Sequence, residues 1–305
     1  MYSYQGLESL LKTRKIYKTE LTTKLGISSR TIAKISKGEK LSNNTLKKIA
    51  LFLSCNIEDL YQELSDNIIL NILKEEKEHK ISGGLYHELQ ILMTYNSNHI
   101  EGSKLSKDQT RLIFETRTID TVDGLPIDDI IETSNHFRCI DYCIDMANET
   151  LNEDFIKRLH FLLKEGTKDS FLSWFNVGDY KQKANVVGGN ETCKPNEVSS
   201  AIKKLLLDYN SKEKITFEDI VKFHHDFEVI HPFQDGNGRV GRLIAFKECL
   251  RFNIIPFIIE DCKKGFYYRG LNNWNNEPGW LLDTCLDGQD TFKKILEKFN
   301  ISEAQ

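Results

Sequence analysis

The chain has 305 residues, with 41 Lys and Arg against 45 Asp and Glu, a length that accommodates two domains and a sizeable core in at least one of them. It contains no apolar run near the roughly 18 residues of a membrane span, which excludes a membrane role of that kind. Charge is uneven: residues 1–61 hold eleven Lys and Arg and five Asp and Glu, leaving 30 and 40 for the rest. A basic end ahead of an acidic body points to a nucleic-acid-binding module joined to a domain with another task, a basic solvated face being the plainer alternative.

In chain order, the opening "MYSYQGLESLLKTRK" lacks the charged-then-apolar layout of a signal peptide. The next stretch, "KTELTTKLGISSRTIAKISKGEK", reads as short helices with a tight connection: Leu21 and Leu25 lead to Gly26, where a sharp turn is cheap, and Ser28 offers a hydroxyl cap. A helix from about Ser29 to Lys37, stopped by Gly38, turns Ile32 and Ile35 inward. It leaves Ser29, Arg30, Thr31, Lys34 and Lys37 to meet phosphates and base edges. Leu46, Ile49, Ala50 and Leu53 supply another stripe, and Ile57 and Leu60 close a small core. Across about 60 residues this pattern resembles the phage-repressor and Cro type of helix-turn-helix domain. DNA is the implied partner, a protein-binding or dimerising helical bundle the alternative.

The predicted organisation is all-α in the main: the helix-turn-helix bundle at 1–61, a charged helical linker at 62–84 starting near Asp66, and a helical domain at 85–305. That domain reads as helices at "LYHELQILMTYNS", "DQTRLIFET", "IDDIIETSNHFRCIDYCIDMA", "NEDFIKRLHFLLKEG" and "EVSSAIKKLLLDYN". "NVVGGNETCKP" interrupts them as a small β-hairpin. Seven cysteines without a CxxC pair fit reduced thiols and a cytoplasmic location, and Cys139 and Cys143 read as core packing.

The chemistry concentrates in "HPFQDGNGRVGR", residues 231–242. Thr216 with Asp219 caps the helix ahead of it, Ile220, Phe223, Phe227 and Ile230 form its inward stripe, and Pro232 ends it with His231 at the junction. Glycines in "DGNG" let backbone N–H groups converge at the positive end of the following helix, an anion site. Asp235 is a hard oxygen ligand suited to Mg²⁺, Arg239 and Arg242 match a polyphosphate, and an imidazole with a reference pKa of about 6.5 accepts a proton near neutrality. The absence of GxxxxGK[ST] excludes a P-loop. His224 and His225 read as helix-surface or packing residues, without a ligand set for metal.

This stretch resembles the Fic (filamentation) family signature HxFx[D/E]GNGRxxR, its eight specified positions being His231, Phe233, Asp235, Gly236, Asn237, Gly238, Arg239 and Arg242. The resemblance implies a mostly helical domain that transfers AMP from ATP to a Ser, Thr or Tyr hydroxyl of a target protein, itself included. His231 is then the general base, Asp235 the Mg²⁺ ligand, and Gly236, Asn237 and Gly238 the phosphate cradle. Arg239 is implied to hold the β-phosphate and Arg242 the γ-phosphate, with Phe233 anchoring the loop. Family members that transfer the γ-phosphate carry Lys in place of the second glycine, whereas Gly238 is retained, which favours nucleotidyl transfer; a phosphocholine-transferring member shares the motif. Asn185, Val186, Val187, Gly188 and Gly189 resemble the edge of the flap that clamps a target segment. Tyr268, Leu271 and Asn272 in "GFYYRGLNN" resemble the adenine and ribose contacts.

Earlier, Ser97 and Glu101 lie four apart at a helix end before Gly102. Alone that spacing means little; beside the signature it resembles the inhibitory motif [S/T]xxxE[G/N]. It implies that Glu101 pairs with Arg242 and keeps the triphosphate misaligned, and related enzymes also use this glutamate to activate water for AMP removal. Two functional readings follow: an autoinhibited protein adenylyltransferase needing ATP and Mg²⁺, or a DNA-binding transcription regulator or toxin-like autoregulator whose Fic domain chiefly modifies itself. Either is compatible with a homo-oligomer.

Overall fold

The structure, a computed structural model, describes residues 2–36, 39–63, 67–120 and 124–301. Lys37 and Gly38, expected to close the recognition helix, and Asp66, expected to open the linker, lie outside the described residues. The chain divides into two compact units, one up to Asn71 and one from Ile72 onward. In the first, α1 (Gln5–Thr13), α2 (Lys18–Leu25), α3 (Ser29–Ser36) and α4 (Asn43–Leu53) surround a core of Leu7, Leu11, Leu21, Ile35, Leu46, Ile49, Leu53 and Leu60. Gly26 closes α2 at φ 63°, and Ser28 Oγ accepts the Thr31 N–H at 3.1 Å, so the turn between α2 and α3 is made by the residues whose chemistry requires it.

Two features of this unit carry no local signal. α1 brings Leu7 and Leu11 to the core, and β1 (Tyr2–Ser3) pairs antiparallel with β2 (Gln62–Glu63), closing the unit's two ends on each other. Tyr4 is buried; its hydroxyl donates to the Glu39 carbonyl at 2.9 Å and accepts from the Leu41 N–H at 2.9 Å. Tyr4→Phe leaves that buried N–H without an acceptor, so urea unfolding of the unit's transition should show a loss of about 1–3 kcal/mol. An unchanged midpoint would contradict this tie.

The boundary falls in α5 (Ile68–His79), and the second unit is built from α6 (Leu85–Ile100), α7 (Lys107–Thr116), α8 (Ile127–Asp145), α9 (Glu153–Lys164), α10 (Val198–Asn210), α11 (Phe217–Ile230), α12 (Asn237–Arg251), α13 (Lys264–Asn273) and α14 (Gly279–Lys298). The expected reciprocal cap of Thr216 and Asp219 opens α11, and Ser106 with Gln109 opens α7 in the same way. α12 is the central helix: it packs against α11, α8, α9 and α6 and is buried on nearly every side, not on one stripe. Ile230, expected in the inward stripe of α11, is only half-buried. Gly270 lets α13 approach α14 closely, since a Cβ there would stand 2.7 Å from the Leu281 Cα.

Cys139 and Cys143 are fully buried, and the Cys143 thiol donates to the Leu243 carbonyl at 3.5 Å, joining α8 to α12. The hairpin is shorter than expected. β3 (Val186–Val187) pairs with β4 (Asn190–Glu191), while Gly188 and Gly189, read from the sequence as edge residues, are the two turn positions at φ 58° and 84°. No helix among the described residues is long and apolar enough to cross a membrane.

Candidate active site

α11 ends at Ile230 and His231 follows as its cap, its N–H bonded to the Phe227 carbonyl at 2.9 Å. A residue before proline is expected in extended backbone, yet His231 is left-handed at φ 51°, ψ 62°, a strained conformation for a side chain other than glycine. Beyond it, Phe233 is buried and stacks on the His160 ring at 3.9 Å between centroids. Asn237 folds the loop back on itself, its Oδ1 accepting the Phe233 N–H at 2.8 Å and its Nδ2 donating to the Phe233 carbonyl at 2.9 Å. Its side chain therefore shapes the loop whose backbone N–H groups are the expected phosphate cradle. Gly236 at φ 80° caps α12, whose first-turn N–H groups have no acceptor within the helix.

Arg239 and Arg242, three apart on α12, serve different clusters. Arg239 bonds Glu132 and reaches Asp235 Oδ2 at 3.4 Å. Arg242 donates through Nε to Ser97 Oγ at 3.0 Å and through one terminal nitrogen to the Ser97 carbonyl at 2.9 Å and Glu101 Oε1 at 2.7 Å. Burial works against the Arg242 charge, but Glu101 outweighs it and the guanidinium pKa is raised. Glu101 stands just beyond the last residue of α6, as its C-cap, with Gly102 next at φ 97°. Gly238 lies under this pair: a Cβ there would stand 2.2 Å from Glu101 Oε1 and 3.0 Å from an Arg242 terminal nitrogen.

The carboxyl of Asp235 is half exposed; burial of the rest would raise its pKa, but Arg239 and Lys164 hold it well below the usual carboxylate range. His231 is displaced the other way, down to about 4, by burial and then by the Lys181 ammonium, partly offset by the Glu228 carbonyl and the Asp235 and Glu101 charges. At pH 7 the imidazole is neutral and able to take a proton.

Burial also lowers His136, His160 and His224 to about 3 each. Unfolded imidazoles bind protons near pH 6.5, whereas these do so only near 3–4, so their contribution to stability is complete above about 6.5 and is lost as pH falls towards 3–4. The melting temperature of this unit should therefore fall steadily between pH 7 and 4.5; a flat profile would contradict neutral burial. His224 and His225 are packing residues and not surface ones: both are buried, His224 Nε2 lies 2.7 Å from the Tyr267 hydroxyl and His225 stacks on Trp274.

The hairpin's root runs beside the loop. The Lys181 N–H donates to the Pro232 carbonyl at 2.9 Å and Asn185 Nδ2 to the Phe233 carbonyl at 3.3 Å, leaving Val186 and Val187 exposed. Tyr268 donates to the Ile100 carbonyl at 3.2 Å, Leu271 is half-buried and Asn272 exposed. Tyr267, its buried neighbour, is the one that approaches Arg242, at 3.5 Å. Glu132, Lys164 and Tyr267 escape a reading of the sequence, because each looks like an ordinary residue of an amphipathic helix and meets its partner only through folding. In the first unit, Ser29 and Arg30 are exposed, Thr31 shares a hydroxyl bond with Ser28 at 2.8 Å, and Lys34 pairs with Glu39 at 3.8 Å.

A helical unit that sets an imidazole, an ionised carboxylate and two arginines around a helix N-terminus is a candidate polyphosphate-handling domain. Residues 150–248 match the Fic/DOC family, and residues 6–62 match the Cro/C1-type HTH DNA-binding domain. The chain thus carries a Fic/DOC-family domain behind a Cro/C1-type helix-turn-helix domain. It is 31% identical over 186 residues to the protein adenylyltransferase Fic of Aedes aegypti, covering 59% of this chain and 36% of that one. It is 28% identical over 198 residues to that of Culex quinquefasciatus, covering 62% and 38%. The chain therefore spans little more than a third of the length of these curated relatives. In fold it is similar to a Fic domain containing signaling protein from Bacteroides thetaiotaomicron, with a TM-score of 0.62 at 23% identity over 78% of this chain and 97% of that one. C. elegans Fic-1 aligns at a TM-score of 0.57 and 18% identity over 95% and 82%.

Proposed function

We propose that the chain is a protein adenylyltransferase that moves AMP from ATP to a protein Ser, Thr or Tyr hydroxyl and is restrained by its own Glu101. The observation that carries this reading is the placement of neutral His231 and ionised Asp235 on one loop at the start of α12, within the residues that match the Fic/DOC family. His231 takes the proton of the incoming hydroxyl, whose oxygen forms the new bond to the α-phosphorus as the bond to the bridging oxygen breaks and pyrophosphate leaves. The first-turn N–H groups of α12 and Arg239 hold the phosphates, and Val186 and Val187 offer the edge on which a target segment adds as a strand. Tyr268, Leu271 and Asn272 remain the proposed nucleoside contacts.

Asp235 presents the hard, ionised oxygen that magnesium favours, so it fits the ion's ligand; when bound, the ion supplies neutralisation of phosphate charge. Arg242, held by Glu101 at 2.7 Å, is not free to fork a γ-phosphate, which supports the restraint. Incubation with ATP labelled at the α-phosphate tests the reading: labelled protein is expected, and a γ-labelled product would instead mean phosphate transfer. Label lost during a chase with unlabelled ATP would reveal removal of AMP through the same glutamate. A DNA-binding regulator that modifies itself is favoured by the Cro/C1-type match and by exposed Ser29 and Arg30; operator binding without transfer to other proteins is its distinguishing result.

A further inference from the structure

Lys164, the last residue of α9, is almost fully buried, with 2% of its side chain exposed. Its ammonium lies 2.7 Å from Asp235 Oδ2, 2.6 Å from Glu132 Oε1 and 3.0 Å from Asp169 Oδ2. Arg239 bonds the other Glu132 oxygen and approaches the same Asp235 oxygen at 3.4 Å. Three carboxylates and two cations thus form one network in which Asp235 is the outermost acid, its side chain half exposed while that of Glu132 is 15% exposed.

From this arrangement we infer that Lys164 is the resident counter-cation of Asp235, excluding divalent metal from the carboxylate until nucleotide brings its own phosphate oxygens to the site. The inference rests on Asp235 as the metal ligand. With both cations present the five charges sum to one negative, too little to hold a strongly hydrated ion that Asp235 would otherwise bind through a single carboxylate. Nucleotide changes the balance, because its phosphates add several negative oxygens on the outer side, away from Lys164. Lys164 is then a positioning residue: it fixes one Asp235 oxygen inward and leaves the other for an ion arriving with the triphosphate. Without it, Glu132, Asp169 and Asp235 keep a single cation, Arg239, and a divalent ion gains what the ammonium held.

The test reads metal binding directly. Mn²⁺ is titrated into the full chain with electron paramagnetic resonance of the free ion as the signal, with and without α,β-methylene ATP. Wild type is expected to bind Mn²⁺ at least about tenfold more weakly without the analogue than with it. Lys164→Ala should bind nucleotide-free Mn²⁺ at least about tenfold more tightly than wild type and melt higher as the ion is added, whereas Lys164→Arg should behave as wild type. Asp235→Asn in the Lys164→Ala background should abolish the gain. A folded Lys164→Ala protein with wild-type Mn²⁺ affinity overturns the inference. If that variant fails to fold even with Mn²⁺, Lys164→Gln, which keeps the stem and a donor without the charge, is read in its place: unchanged affinity for nucleotide-free Mn²⁺ overturns the inference, and a gain of about tenfold upholds it. Should Asp235→Asn leave Mn²⁺ binding with the analogue unchanged, it is the assignment of Asp235 as ligand that fails.

Discussion

Replacing His231 with alanine or asparagine is expected to lower AMP transfer by roughly 10²- to 10⁴-fold, the range that a positioned general base supplies, while ATP binding persists. The left-handed backbone at this position makes the choice of substituent matter. Alanine there costs about 1–2 kcal/mol, whereas asparagine accepts the conformation, so His231→Asn separates chemistry from strain. Both variants should lose transfer to a similar extent, with His231→Asn keeping the wild-type melting temperature more closely. The position of the His231 pKa near 4 adds a second expectation. Between about pH 5 and 8 the base is unprotonated and kcat/KM should be nearly independent of pH on its account, falling only as acid drives it through about 4. Transfer by His231→Asn within tenfold of the parent rate, measured with α-labelled ATP in a Glu101→Gly background, would falsify the role of the imidazole.

Glu101→Gly should raise AMP transfer by roughly 10- to 100-fold. The contact removed is a hydrogen bond between charged groups, worth about 1.5–3 kcal/mol, and each 1.4 kcal/mol is a factor of ten. The Glu101 side chain is 28% exposed, so solvent moderates the pair and the lower part of the range is favoured. Arg242 remains tethered through Nε to Ser97 Oγ and through one terminal nitrogen to the Ser97 carbonyl, which positions the guanidinium near its present place, while the other N–H of that nitrogen, released by Glu101, turns to phosphate. The same substitution removes the partner of a buried arginine, so thermal stability without nucleotide should fall and be restored by ATP. Glu101→Gln, which keeps an acceptor but not the charge, should give an intermediate rate. If neither variant exceeds the parent in self-modification, the restraint assigned to Glu101 is wrong.

Much of the candidate site is legible because its determinants are local. His231 through Arg242 spans one helix end, a glycine loop and one helix start, and the backbone freedom of Gly236 and the caps at Ser28 and Thr216 express rules that operate over four residues or fewer. The Glu101 and Arg242 pair, 141 positions apart, was accessible only because two separate motifs resemble parts of one family's signature. No comparable pattern marks Lys164, 71 positions from Asp235, or Glu132, 107 from Arg239. A lysine at the end of a helix ordinarily reaches solvent, and nothing in "NEDFIKRLHFLLKEG" distinguishes one that turns inward.

Taken alone, the sequence determined the two-part organisation, the helical class, the turns at Gly26 and Gly236, and the junction of helix, loop and helix from His231 to Arg242, since propensity and capping are properties of short segments. Only the tertiary structure decided that Asn237 braces its own loop, that Tyr267 and not Tyr268 meets Arg242, and that a buried ammonium sits behind Asp235. Those outcomes depend on which helix faces meet, and burial turns such meetings into strong charge pairing that no local pattern of apolar and polar residues encodes.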